Sequence, residues 1–109
     1  MKKFSLGASK SEVLEMFSEN VIHKIHLEEI TIALVRKGEQ FFAFQGACPH
    51  RAASLFRGTL IDSTEIRCPL HGYRFDIQTG EVRVGFCDTL EIYPNEFTAE
   101  GLKIFMSVD

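Results

Sequence analysis

The sequence lacks any apolar run approaching the ~20 residues that cross a bilayer as a helix, so no membrane anchor is expected. Met1-Lys2-Lys3 begins with the positive charge of a secretory signal, but the ~7–15-residue apolar stretch of such a signal does not follow. The chain is therefore expected to stay in the cytoplasm. Charge of one sign is nowhere concentrated. With 12 basic and 15 acidic side chains and a formal charge of −3, no stretch is fitted to follow a phosphate backbone, which argues against nucleic acid as a partner. Cysteine is scarce and odd in number, at three. A chain of this size can bury a core without disulfides, so the thiols fit a reducing compartment and are available as metal ligands. A Ser/His/Asp set, a phosphate loop and paired carboxylates in a supporting context are also missing. Catalysis by this chain alone is not expected.

What is present reads as an ordinary globular composition. Apolar residues make up 45% and charged residues 25%, which points to neither disorder nor a membrane-embedded body. Tryptophan is absent, but ten phenylalanines can fill a core. A length of 109 residues suits one domain, 1–109, and no repeat or Gly/Ser linker divides it.

The elements are mostly short strands. Ser9-Lys10-Ser11-Glu12 has the capping-box pattern and Val13, Leu14 and Phe17 follow at helical spacing, so a helix is expected over Lys10–Glu19, ended by Asn20. Val21–Leu27, Ile30–Arg36 and Gln40–Phe44 are rich in β-branched and aromatic residues, with Lys37-Gly38-Glu39 turning between the last two. In the second, Ile30, Ile32 and Leu34 alternate with Thr31, Ala33 and Val35, predicting one strongly buried face. From Gly46 to Tyr73, glycines and prolines interrupt any long element, which predicts loops. Tyr73–Ile77 and Glu81–Val84 then flank Gln78-Thr79-Gly80 as a hairpin whose glycine supplies positive φ. Leu90–Tyr93 and Leu102–Val108 are expected to close the fold. About eight short strands predict an all-β sandwich or barrel-like core with one inserted loop lobe, about 46–76.

That lobe carries Cys48-Pro49-His50 and Cys68-Pro69-Leu70-His71-Gly72, two Cys/His pairs on two loops. Thiolates and neutral imidazoles are both accessible near neutral pH once a metal lowers the thiol pKa. Pairs that chelate a single zinc are usually spaced as C-x2-4-C and H-x3-5-H, and Cys48-x-His50 is tighter. Two ligands so close are more easily directed to different atoms of an elongated cofactor, such as a two-iron cluster. Mononuclear zinc remains the other reading of the same four residues.

Cys48-Pro49-His50-Arg51 and Cys68-Pro69-Leu70-His71-Gly72-Tyr73-Arg74-Phe75-Asp76, followed by Thr79-Gly80, resemble the two cluster-binding loops of Rieske ferredoxins, notably those serving bacterial oxygenases. By motif the resemblance covers about Phe41 to Val84. It implies stacked antiparallel sheets with a small cluster-binding subdomain, alongside the short N-terminal helix. It also implies one Rieske [2Fe–2S] cluster, with Cys48 and Cys68 on one iron and His50 and His71 on the other. The second ring nitrogens of the two histidines would lie near solvent, where electrons enter and leave and a partner docks.

The resemblance further implies which kind of centre this is. Respiratory Rieske subunits carry an extra cysteine in each loop, joined as a disulfide; the matching positions are Ala53 and Leu70, so no such disulfide forms. Those proteins also place a serine and a tyrosine hydroxyl near the cluster, where this chain has Tyr73 and Phe75. Fewer donors to cluster sulfur leave the reduced state less stabilised, so the potential is expected in the lower part of the roughly −150 to +300 mV Rieske range. The third loop of the family usually contains proline. Here it corresponds to Val84-Gly85-Phe86-Cys87-Asp88, with Phe86 as the candidate shield.

The functional expectation is a soluble one-electron carrier, itself no enzyme, taking electrons from a reductase and delivering them to an oxygenase or similar terminal enzyme, and monomeric when free. The alternatives are the small Rieske subunit of a nitrite-reductase-like complex and a zinc-stabilised interaction module. Arg51, Arg57, Arg67 and Arg74 against Asp62, Glu65 and Asp76 make the lobe slightly basic, which reads as ordinary solvated surface. His23 and His26 read as surface or partly buried strand residues, Cys87 as a small buried or semi-buried residue, Phe41, Phe42 and Phe44 as core, and Asp76 equally as a group that orients a ligand or the loop or as a support for the following turn.

Overall fold

The protein is described by a computed structural model covering residues 2–62, 64–70 and 72–106. In chain order the elements are β1 (Lys2–Leu6), α1 (Lys10–Met16), β2 (His23–Leu27), β3 (Ile30–Lys37), β4 (Gln40–Gln45), a 3-10 turn (Leu55–Arg57), β5 (Thr59–Ile61), β6 (Glu65–Arg67), β7 (Arg74–Asp76), β8 (Val82–Val84), β9 (Ile92–Tyr93), β10 (Asn95–Thr98) and β11 (Gly101–Met106). The strands form three antiparallel sheets, ordered β1-β11-β10, β2-β3-β4-β9 and β5-β6-β7-β8. The all-β class with one short helix is as the sequence implies. Among the described residues, no helix is long and apolar enough to cross a membrane.

The central sheet departs from the expected single buried face. On β3, Ile32 and Leu34 join one core cluster with Val13, Phe17, Phe41 and Ile104. Ala33 and Val35, pointing the other way, join a second cluster with Phe44, Leu55, Ile66 and Phe75. Residues 32–35 are wholly buried on both faces because the strand lies between two layers, α1 and β11 on one side and the β5–β8 lobe on the other. Ile30, counted with the buried face, is instead exposed at the strand's start. Phe41 and Phe44 are core, as expected.

The helix stops earlier than its pattern suggests. Ser9 caps it, its Oγ accepting the Glu12 N–H at 3.2 Å. At Phe17 the backbone turns extended, which lets the ring insert edge-on against Phe41 and His23. The Arg36 guanidinium donates to the Leu14 and Phe17 carbonyls, which the ended helix leaves unmatched. Glu19, expected inside the helix, bridges to Arg36 through its backbone. A tertiary arginine thus sets the boundary that local propensity placed further on.

Strands β1, β5, β6 and β10 were not anticipated. The β5 and β6 strands are three residues each and carry too few alternations to register as a pattern, yet they turn the supposed loop region into half of a sheet. Strand β2 begins at His23 rather than Val21, and β9 is shorter than the expected Leu90–Tyr93. Strand β11 begins at Gly101, and Val108, its expected last residue, lies outside the described residues.

The β7–β8 hairpin turns as predicted. Asp76 Oδ1 accepts the Gln78 and Thr79 amides at 2.8 and 3.0 Å, and Oδ2 pairs with Arg83 at 2.9 Å. Burial opposes ionisation of this carboxyl, but Arg83 and the two amides outweigh it and hold its pKa below the usual value. Asp76 is the turn's support. Gly80 has φ +82, and a Cβ there would fall 2.1 Å from the Leu90 carbonyl oxygen, so glycine is required twice over.

Candidate metal centre

The lobe folds each Cys-Pro segment into a tight, backbone-bonded loop. In the first, the Cys48 N–H donates to the Ala53 carbonyl (2.8 Å), the Ala52 N–H to the Cys48 carbonyl (2.7 Å) and the Leu55 N–H to the Gly46 carbonyl (2.8 Å). Ala52 closes the turn at φ +56, a left-handed conformation unusual for alanine. Pro49, His50 and Arg51 are thereby carried at the loop's tip. The second loop connects β6 to β7, with the Cys68 N–H donating to the Tyr73 carbonyl at 2.7 Å. Gly72, at φ +68, lies beside the Arg67 guanidinium.

Both cysteines face inward. Cys48 and Cys68 are 2% and 1% exposed and belong to the second core cluster with Ile66, Phe75 and Leu90, whereas Pro69 and Leu70 are exposed. The two thiols share this cluster: burial pushes the Cys68 thiol pKa up, the Leu70 backbone N–H works against this, and the neighbouring Cys48 thiol adds to the rise. Cys68 therefore disfavours the thiolate until a cation enters, and a bound metal would invert that balance. Two soft, buried, free sulfurs from separate loops are a donor pair suited to iron–sulfur or zinc chemistry.

His50 is half-buried, its imidazole stacked on Tyr73 with centroids 4.0 Å apart and planes 6° from parallel. His71, the fourth predicted ligand, lies outside the described residues. Among the described residues, no group of three or more His, Cys, Asp or Glu side chains forms a ready mononuclear site. Three of the four candidate positions are therefore described, at or beside one buried patch.

The third loop differs from its expected role. Phe86 does not cover the cysteines; its side chain is 95% exposed. Gly85, itself exposed, is the residue of this loop that lies against the Tyr73 ring. Cys87 is half-buried against the second cluster, and burial first, then the neighbouring Cys48 and Asp88, pushes its thiol pKa up. That environment suits a packing residue better than a reactive thiolate. His23 and His26 bond the Ser18 carbonyl and the Thr31 hydroxyl. Arg74 pairs with Glu65 at 2.7 Å, which neutralises both locally and leaves the lobe's slight basic excess unchanged. The sequence reading missed the ring stack on His50, for Tyr73 follows the motif with nothing local to place its ring.

A family model described as the Rieske [2Fe-2S] domain matches residues 8–94. The 3-phenylpropionate/cinnamic acid dioxygenase ferredoxin subunit of Escherichia coli strain K12 is 36% identical over 78 residues, 71% of this chain and 72% of its own length. Ferredoxin CarAc of Metapseudomonas resinovorans is 47% identical over 49 residues, and that match spans 45% of either chain. Among solved structures, the ferredoxin of carbazole 1,9a-dioxygenase from Nocardioides aromaticivorans IC177 superposes with a TM-score of 0.79 at 23% identity, covering 95% of this chain and 97% of that one. A chain of the complex of reduced oxygenase and oxidized ferredoxin in carbazole 1,9a-dioxygenase gives 0.76 at 26% identity, covering 94% and 91%. A small subunit assigned to an NADH-dependent nitrite reductase of Mycobacterium tuberculosis gives 0.76 at 16% identity, covering 98% and 97%, a likeness of fold alone.

Proposed function

The chain belongs to the Rieske [2Fe–2S] domain family, and on that premise we propose that it is a low-potential electron carrier of a ring-hydroxylating dioxygenase system. In this reading, residues 1–109 form one Rieske domain. Cys48 and Cys68 hold one iron and His50 and His71 the other. The chain accepts single electrons from a reductase and passes them to a terminal oxygenase. When bound, the cluster supplies reversible one-electron chemistry. The protein's own residues supply the rest. The buried cysteines exclude water from the sulfur side, the hairpin turn at Asp76 holds β7 and β8, and half-buried His50 lies toward the surface where a partner can approach.

The observation that carries the reading is the burial of two free thiols in one core cluster, delivered by two separate backbone-closed loops. Over whole-chain superpositions identity favours the carbazole 1,9a-dioxygenase chains, at 23% and 26%, over the nitrite reductase small subunit, at 16%. Zinc as the resident metal is set aside by family membership. We place the carrier in the cytoplasm and as a free monomer.

Of the two second-loop positions that could offer a hydroxyl to cluster sulfur, Phe75 is apolar and fully buried, and Tyr73 has its ring stacked on His50. The midpoint potential, measured by protein-film voltammetry, is therefore expected in the lower part of the roughly −150 to +300 mV span of Rieske centres. A value near the upper end would contradict this reading.

A further inference from the structure

Nothing covalent joins the loops around the buried sulfurs, since Cys48, Cys68 and Cys87 are free thiols. Instead, contacts from three loops converge on one residue. The Tyr73 ring lies parallel to the His50 imidazole of the first loop, 4.0 Å away. In the second loop, the Tyr73 carbonyl accepts the Cys68 N–H at 2.7 Å. From the third, Gly85 approaches so closely that a Cβ would fall 2.4 Å from Cδ2 and 2.5 Å from Cε2 of the same ring.

We propose that Tyr73 is a positioning residue that clamps the cluster-binding loops, its ring fixing the tilt of His50 and seating the third loop at Gly85 while its backbone fixes Cys68. The proposal rests on the ligand assignment made above. An imidazole binds metal through a lone pair in its ring plane. A ring stacked on its face therefore restrains the plane without occupying the ligating edge. Restraint of this kind, exerted by a neighbour that touches no metal, governs how tightly the metal is kept. The aromatic ring is the required part, and the phenol oxygen takes no part in the three contacts.

The test measures iron release from the holo-protein to excess chelator for wild type, Tyr73→Phe, Tyr73→Leu and Gly85→Ala, with thermal unfolding of each apo form alongside. Tyr73→Leu is expected to release iron at least about 10-fold faster, the lower end of what outer-shell partners cost. Tyr73→Phe should stay close to wild type, and Gly85→Ala should also release iron faster, because its Cβ must displace the ring. Wild-type release from Tyr73→Leu or Gly85→Ala would overturn the clamp. So would Tyr73→Phe as labile as Tyr73→Leu, or an apo form of Tyr73→Leu destabilised enough to account for the release. A wild-type chain that takes up neither iron nor sulfide fails earlier, overturning the ligand assignment and the clamp with it.

Discussion

Cys68→Ser is expected to leave the chain without its cluster. The visible absorption and the paramagnetic signal of the reduced state should both be lost, and with them any reduction by a reductase. Serine preserves the size of the side chain, but its hydroxyl does not ionise near neutral pH and is a hard donor where iron–sulfur chemistry wants thiolate. Cys68 is 1% exposed, so no water-filled space allows an outside ligand to take its place. Its loop is also held at the backbone, through the Cys68 N–H to the Tyr73 carbonyl, so a neighbouring residue cannot swing in. Cys87 provides the contrast. It is half-buried against the same cluster of side chains, and Cys87→Ser should retain full iron and sulfide content. Quantitation of iron and acid-labile sulfide on both variants checks the pair. Loss from Cys87→Ser together with retention by Cys68→Ser would reassign the thiol ligands.

Phe75→Ala is expected to have the largest effect on stability. Phe75 sits at the centre of β7, fully buried, in register with Ile66 and packed with Leu55, Ile77 and Leu90 in the second core cluster. Truncating a buried phenylalanine of this kind costs about 3–5 kcal/mol, the lost transfer energy plus the cavity left behind. Against a net stability of roughly 5–15 kcal/mol for a domain, that is a large fraction. Because Cys48 and Cys68 belong to the same cluster, the variant should also release iron more readily. Phe86 has the opposite setting, 95% exposed, and Phe86→Ala should change stability by no more than about 0.5 kcal/mol. Urea titration of the apo forms measures both. A Phe75→Ala variant as stable as wild type would show that the second cluster is not what holds the lobe to the central sheet.

The residues that define the family were the most legible part of the chain, because their chemistry is local. Cys48-Pro49-His50 and Cys68-Pro69-Leu70-His71-Gly72 each hold a Cys/His pair within a few residues, and it is the motif's resemblance to the family's two loops that implies one shared centre. The Thr79-Gly80 turn was legible for the same reason, its glycine being needed at φ +82. The lobe's own sheet was not, since β5 and β6 are three residues each and are stabilised by pairing with neighbours rather than by internal pattern. The double burial of β3 was hidden because alternation reports which residues share a face, not how many faces are covered. The helix end at Met16 depended on Arg36, twenty residues away. The Tyr73 stack belongs to this class too: it exists only once both loops are folded, and no spacing rule encodes it.

In the proposed centre two cysteines and two histidines share one two-iron cluster, with the histidines on a single iron. Electron–nuclear double resonance on the reduced protein, grown with nitrogen-15 histidine, tests this most directly. Strong coupling to about two histidine nitrogens is expected, as Rieske ligation requires, with one coupling lost in His50→Cys. A reduced centre with no nitrogen coupling, or a colourless protein holding zinc in place of iron, would contradict it.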